Sequence, residues 1–166
     1  MEDVIAVWPI GYRFKPKEDE LVKFFLQRRV RGEPLPWSPI MECNLYGNQA
    51  PWEIFDQSNG QKVWYCFTKL NNTGKGKKRV SRTGGGGTWR GEKSGVEIVD
   101  SETNRLIGVQ KTFLFKIKGA TDKLVSWIMH EFSLVEKKGD DIVLCKLKKK
   151  TKSSNQISDS DVDQVL

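Results

Sequence analysis

Residues 106–118 (LIGVQKTFLFKIK) alternate in side-chain character, with Ile107, Val109, Phe113, Phe115 and Ile117 on one face. A period of two over this length is the signature of a long β-strand. It ties the chain to a sheet, because a strand with an apolar face needs paired neighbours and a covering layer. Residues 62–68 (KVWYCFT), rich in aromatics, read as a second strand, and residues 125–134 and 142–147 as two more. A strand at 96–99 joins the long one across a hairpin turn at 100–104 (DSETN). Such short connections favour antiparallel pairing. One helical pattern precedes them, over residues 18–31. Leu21, Val22, Phe24, Phe25 and Leu26 recur at three- and four-residue spacing between an acidic start (Glu18, Asp19, Glu20) and a basic end (Arg28, Arg29, Arg31). That charge order complements the helix dipole, and Gly32 supplies a stop. Pro34, Pro36 and Pro39 make the next stretch a connector. The expected class is α+β, a helix followed by a twisted antiparallel sheet.

The 166 residues suit one domain. The chain is only 37% apolar, and its six Trp and eight Phe supply much of the large apolar area a core needs. Charge is unevenly spread. Residues 69–93 hold eight basic side chains (Lys69, Lys75, Lys77, Lys78, Arg79, Arg82, Arg90, Lys93) against the single acid Glu92, an excess equal to the net charge of +7 for the whole chain. Cations beside Gly84, Gly85, Gly86 and Gly87 suit a polyanion: the cations neutralise phosphates, and the glycines let backbone approach a duplex or bend sharply. A solvated basic loop is the alternative on charge alone. A membrane surface suits the pattern less, since no run approaches 18 apolar residues and the cations do not line an amphipathic helix.

Enzyme readings find little support. His130, the single histidine, sits in a strand pattern and reads as structural rather than as a base. Cys43, Cys66 and Cys145 are odd in number and widely spaced, with no CxxC or HxxxH pair, so they read as reduced structural cysteines and no metal site is expected. No phosphate-loop pattern runs through the glycines, and no cofactor or small-molecule substrate is called for. The acidic opening Met1-Glu2-Asp3 lacks the basic start of a secretory signal.

Ordered blocks along residues 5–150 resemble the NAC domain of plant transcription factors. The stretch Trp8-Pro9-Ile10-Gly11-Tyr12-Arg13-Phe14-Lys15-Pro16-Lys17-Glu18-Asp19-Glu20-Leu21-Val22 is similar to the family opening LPPGFRFxPTDEELV. Asn44-Leu45-Tyr46 with Ala50-Pro51-Trp52 follows DLYxxEPW, and Val63-Trp64-Tyr65-Cys66-Phe67 follows EWYFF. Arg79, Arg82, Gly85, Gly87, Trp89 and Arg90 align on RPNRATGSGYWKATG. Residues 126–134 (SWIMHEFSL) follow DWVMHEYRL, and residues 143–149 (VLCKLKK) follow VLCRIFKK.

The resemblance implies a twisted antiparallel β-sheet packed between a few helices, and a nuclear regulator that binds double-stranded DNA as a homodimer or as a heterodimer with other NAC proteins. It implies DNA-binding roles for Arg79, Arg82, Trp89, Arg90 and Lys111, beside Lys75, Lys77, Lys78 and Lys93, which the charge cluster itself nominates, and a dimer interface at Pro9, Arg13 and Glu20. For Trp89, core packing and direct DNA contact both stand at this level. The chain departs from the family blocks most after Trp89, where Arg90-Gly91-Glu92-Lys93-Ser94-Gly95 stands for KATGKD. Glu92 puts a carboxylate where the family has threonine, Ile10 replaces a proline, and Lys17 replaces the threonine that would cap the helix. Glu92 keeps open a second reading, a dimerisation module with weak DNA binding that regulates NAC relatives by pairing with them. Residues 151–166 read as a disordered polar and acidic tail after a domain over 1–150. That short tail leaves a domain-only protein and a piece of a longer one as alternatives. The lysine-rich stretches 146–152 and 75–79 are candidate nuclear-entry signals.

Overall fold

The computed structural model describes residues 13–58, 60–73, 79–91, 94–117, 125–136 and 141–151. Its strands, in chain order, are β1 (Met41–Glu42), β2 (Val63–Lys69), β3 (Asn71–Thr73), β4 (Arg79–Ser81), β5 (Thr83–Gly84), β6 (Gly87–Gly91), β7 (Val96–Val99), β8 (Leu106–Ile117), β9 (Val125–Leu134) and β10 (Ile142–Thr151). The main sheet runs β1-β2-β10-β9-β8-β6-β5, with β7 also on β8, while β3 and β4 form a separate ribbon. Pairing is antiparallel throughout the main sheet except at its edge, where β1 lies parallel to β2 with Met41 opposite Cys66. The α+β expectation holds, with this small parallel addition. The expected strand at 142–147 runs on through the lysines to Thr151. Leu147 pairs with Trp64 and Met129, and Lys148 with Val63 and Ile128, so lysine stems lie along a pleated surface that the apolar residues anchor.

The helix α1 spans residues 18–31 as anticipated, α-helical over Glu18–Glu20 and Gln27–Arg31 and π-helical over Leu21–Leu26. Lys17 offers no capping side chain, and Glu20 compensates: its Oε1 accepts the Lys17 backbone N–H at 2.8 Å. At the other end Gly32 takes φ 71°. The Glu33 N–H then reaches the Arg28 carbonyl at 2.9 Å and the Gly32 N–H reaches that of Arg29 at 3.3 Å, the paired bonds of a Schellman ending. Leu21, Val22, Phe25 and Leu26 are buried on one sheet face with Tyr65, Phe67, Ile98, Phe132 and Leu144.

The other face is covered by residues 43–55, which include the short helix α2 (Pro51–Ile54). Leu45, Tyr46 and Phe55 pack there on Trp64, Cys66, Trp89, Phe113, Phe115, Trp127, Met129, Cys145 and Leu147. Phe55, Trp64 and Trp127 stack with ring centroids 5.2–6.2 Å apart. The sheet thus has two covered faces, and the apolar residues of β8 do not share one core. Ile107 joins the cluster under α1, whereas Phe113 and Phe115 belong to the opposite one.

The turn after β7 is tied to α1 by polar bonds. Lys23 Nζ lies 3.2 Å from Asp100 Oδ2 and 2.9 Å from Glu102 Oε2, and Ser101 Oγ donates to Asp19 Oδ2 at 2.8 Å. A close approach sets the helix height over the sheet. A Cβ at Gly108 would stand 2.8 Å from the Ser133 carbonyl oxygen and 3.3 Å from both Val22 methyls. Gly108→Ala is therefore expected to cost about 1–3 kcal/mol of stability by overpacking, read as a lowered urea midpoint with an unchanged slope. An unchanged midpoint would show that α1 shifts freely on the sheet.

Candidate nucleic-acid interface

The glycine run is a tight hairpin turn. Thr83 and Gly84 of β5 pair with Thr88 and Gly87 of β6, and Gly85 and Gly86 make the bend with φ 55° and 84°. Two consecutive positive φ values match the twist of a two-residue type I′ turn and favour glycine. The glycines also serve close packing on the protein itself. A Cβ on Gly84 would sit 2.8 Å from the Leu45 carbonyl oxygen, one on Gly85 2.1 Å from the Ala50 nitrogen, and one on Gly87 2.4 Å from the Phe115 ring. Of the two uses expected of the run, the sharp bend is the one this turn displays, and bare backbone is needed besides against residues 45–50 and Phe115. Gly86 alone points into open space.

Strand β6 separates its side chains by face. Trp89 is 3% exposed and lies on Phe115 with ring centroids 5.0 Å apart, while Trp52 meets Phe115 edge-on at 5.7 Å. The two roles left open for Trp89 therefore resolve in this structure to packing: its ring belongs to the core. Its backbone N–H donates to the Arg82 carbonyl at 2.8 Å, which joins the hairpin to the preceding chain. Arg90 is exposed, and so is Lys116 of β8. Thr88 faces Lys116 across the strands, and Arg90 lies in a row with Leu114, Ile128 and Lys148. Arg90, Lys116 and Lys148 consequently share one sheet face. Lys116 and Lys148 were missed in the sequence. For Lys116 the signal was available, since a strand that packs Phe113 and Phe115 on one face turns residue 116 to the other. Lys111 is exposed on the same face as Phe113, at the gap between β6 and β7.

Arg82 has internal partners. Its Nε donates to Glu131 Oε2 at 2.9 Å and its Nη2 to Glu131 Oε1 at 2.8 Å, with the guanidinium 4.6 Å over the Phe113 ring. The Tyr46 hydroxyl donates to Glu131 Oε2 at 2.6 Å. Glu131 and the Arg82 side chain are only 2% and 15% exposed, so the pair belongs with buried ion pairs rather than with screened surface ones. Burial pushes the Tyr46 hydroxyl well above the usual phenol range. For Arg82, burial acts to lower the pKa, and the bonds and charge of Glu131 outweigh it and raise it. The expected phosphate-contacting role of Arg82 thus meets a guanidinium whose fork is already engaged. Glu131 was overlooked in the sequence beside the more conspicuous His130. An acid sharing a strand face with Trp127 and Met129 calls for a buried cation. Arg82→Ala strands that carboxylate and is expected to cost about 3–5 kcal/mol in equilibrium unfolding, with a loss under about 1 kcal/mol contradicting the buried-pair reading.

His130 is 3% exposed, and its Nδ1 lies 3.1 Å from Gln110 Nε2 and 3.0 Å from Thr112 Oγ1. Burial, reinforced by the charges of Lys146 and Lys148, lowers its pKa to about 4. The ring is uncharged at neutral pH and bound into the sheet, as a structural histidine is. Below the ordinary value of 6.5 the unfolded chain takes up the proton first. The stability contributed by the neutral ring is therefore complete above pH 6.5 and falls as pH drops toward 4. The loss should reach about 3 kcal/mol, and His130→Gln should flatten that part of the urea-midpoint profile. An identical slope in the variant would assign the pH dependence elsewhere.

Of the remaining expected residues, Pro9, Lys75, Lys77, Lys78 and Lys93 lie outside the described residues, and Arg79 is described only as backbone within β4. The acid Glu92 is likewise outside them. Arg13 is exposed, and Glu20 is half-buried with one carboxylate oxygen held by its own helix start. The candidate entry signal at 146–152 lies largely in β10, paired on both sides by β2 and β9, so it does not form a free linear segment. No helix among the described residues is long and apolar enough to cross a membrane.

The family described as No apical meristem (NAM) protein matches residues 9–134. NAC transcription factor 56 of Arabidopsis thaliana is 31% identical over 179 aligned positions, covering 95% of this chain and 49% of that protein. NAC domain-containing protein 68 of Oryza sativa subsp. japonica is 33% identical over 152 positions, covering 84% and 48%. NAC domain-containing protein 55 of Arabidopsis thaliana is 32% identical over 157 positions, covering 89% and 49%. The chain spans about half the length of these curated relatives.

Proposed function

The chain belongs to the no apical meristem (NAM) family of NAC domains, and from that membership we propose that it is a nuclear transcription regulator that binds double-stranded DNA as a dimer. The observation that carries the reading is the division of labour on β6. Trp89 and Gly87 fix the strand on Phe115, and Arg90 on the outward face stands free of the core near Lys116. A rigid strand that displays arginine suits a groove, since a guanidinium fork can meet guanine O6 and N7 as well as phosphate. Lys116 and Lys148 add cations on the sheet face of Arg90, Lys111 adds one on the opposite face, and Lys75, Lys77, Lys78, Arg79 and Lys93 extend them in sequence. Arg82 acts in this scheme as a positioning residue, through Glu131, rather than as a contact. Trp89 does likewise through Phe115.

The dimer contact is proposed at Pro9, Arg13 and Glu20, with an exchanged ion pair between Arg13 of one copy and the Glu20 oxygen not used in helix capping. The partner is a second copy or another NAC protein.

A salt titration of duplex binding tests the reading. Log K should fall linearly with log salt, by about 0.9 for each phosphate neutralised. Arg90→Ala and Lys116→Ala should each weaken binding and take about 0.9 from that slope while leaving the unfolding midpoint in place. A flat response beside an intact dimer would overturn DNA binding and favour the pairing module for which Glu92 speaks.

A further inference from the structure

The sheet face that carries Arg90 is covered over only part of its length. Helix α1 closes the part around Phe132 and Leu144. Beyond it a row runs from Lys148 of β10 through Ile128 and Leu114 to Arg90 of β6, and Lys116 lies diagonal to Arg90 on the same face. Ile128 and Leu114 are half-buried and belong to neither of the two core clusters. The result is a strip with an apolar middle and cations on both sides, about 15 Å across at the usual strand spacing. Strand β10 ends at Thr151, about 10 Å along the strand from Lys148, so the chain leaves the sheet at the border of the strip.

Residues 152–166, which lie outside the described ones, carry Asp159, Asp161 and Asp163 among Ile157, Val162, Val165 and Leu166, with Lys152 as their single cation. We propose that residues 157–163 fold back onto this strip and compete with DNA for it, a regulation that rests on the DNA-binding reading above. The chemistry matches in two respects. The three carboxylates complement Arg90, Lys116 and Lys148, and Ile157 and Val162 supply apolar area for Leu114 and Ile128. The tether is long enough as well, since the stretch from Thr151 to Asp159 extends to roughly 26 Å, more than the width of the strip. Exposed ion pairs are individually weak. Tethering, however, sets the effective concentration of the segment in about the millimolar range, which populates a contact that a separate peptide would not hold. A duplex, with its denser charge, displaces the segment, and its apparent affinity is lowered by the share of chains in which the segment is docked.

The test compares the whole chain with a variant carrying Asp159→Asn, Asp161→Asn and Asp163→Asn. Without DNA, a water-soluble carbodiimide at low salt should join these acids to Lys116 or Lys148 within one chain, with loss of one water, and high salt should suppress the coupling. In isotope-labelled protein the backbone amide signals of Arg90, Leu114 and Ile128 should shift between chain and variant. With duplex at low salt, the variant should bind about three- to tenfold more tightly, and the gain should shrink as salt rises. Coupling spread evenly to Lys62 and Lys111, coupling only between copies, or unmoved amide signals would overturn the docking. Docking beside an unchanged duplex affinity would overturn the competition. An absence of duplex binding in both proteins would overturn the DNA-binding reading and the competition with it, while the coupling and the amide shifts, which need no DNA, still decide the docking.

Discussion

The candidate interface depends on one buried carboxylate. Glu131 sits at the middle of the sheet, on the same face as Trp127 and Met129, where a lone charge costs several kcal/mol. Its oxygens accept from Arg82 twice and from Tyr46 once. Those donors come from two pieces of chain distant in sequence, the approach to the glycine hairpin and the loop after β1. Glu131 therefore binds both to β9 at a single point. The geometry is demanding because each partner is desolvated, and a small displacement of either segment would leave charge uncompensated. Apolar packing alone would hold the hairpin against the sheet but would not fix its position along it to the same degree.

With the hairpin fixed there, local chemistry divides it into an anchored and a displayed side. The turn needs left-handed residues at Gly85 and Gly86, and the loop at 45–50 and the Phe115 ring exclude a Cβ at Gly84, Gly85 and Gly87. Trp89 then fills the face that Phe115 offers, and strand alternation turns Arg90 the other way. Arg90 and Lys116 owe their exposure to residues that touch no ligand. The same rule explains the two cores. A strand has one set of side chains for each covering layer, so α1 and the 43–55 segment can both be satisfied by one sheet.

Much of this was legible wherever the signal was local. The helix over 18–31, its glycine stop and the alternation of β2, β8 and β9 follow from short-range patterns, and the boundaries fell within a residue or two. What was not legible depended on partners distant in sequence. The glycines read as a sharp bend or as access for a duplex, and nothing near them in sequence reveals Leu45 or Ala50 as their neighbours. Arg82 looked like a phosphate contact because Glu131 lies 49 residues away. The lysines after Leu147 looked like the end of the strand, since a strand that carries lysine on its pleat does not resemble an apolar one. The cysteines read as widely spaced structural residues, and only the β2–β10 register and the return of the chain past β1 bring all three to one core.

On the proposed reading, in which the hairpin meets DNA, rigidity also bears on what it can do. A flexible basic loop loses conformational freedom when it docks, so cations on it contribute affinity with little preference among sequences. An arginine on a strand already fixed by the Trp89–Phe115 contact and the Arg82–Glu131 pair has less freedom to lose. Its donors approach base edges from one direction, and a base with no acceptor in that direction leaves them unpaired, which is costly. Selectivity then comes from the placement of the strand as much as from the identity of the side chain. On the proposed DNA-binding reading, altering the Glu131, Tyr46 or Phe115 contacts would retune a preference as directly as exchanging Arg90 itself.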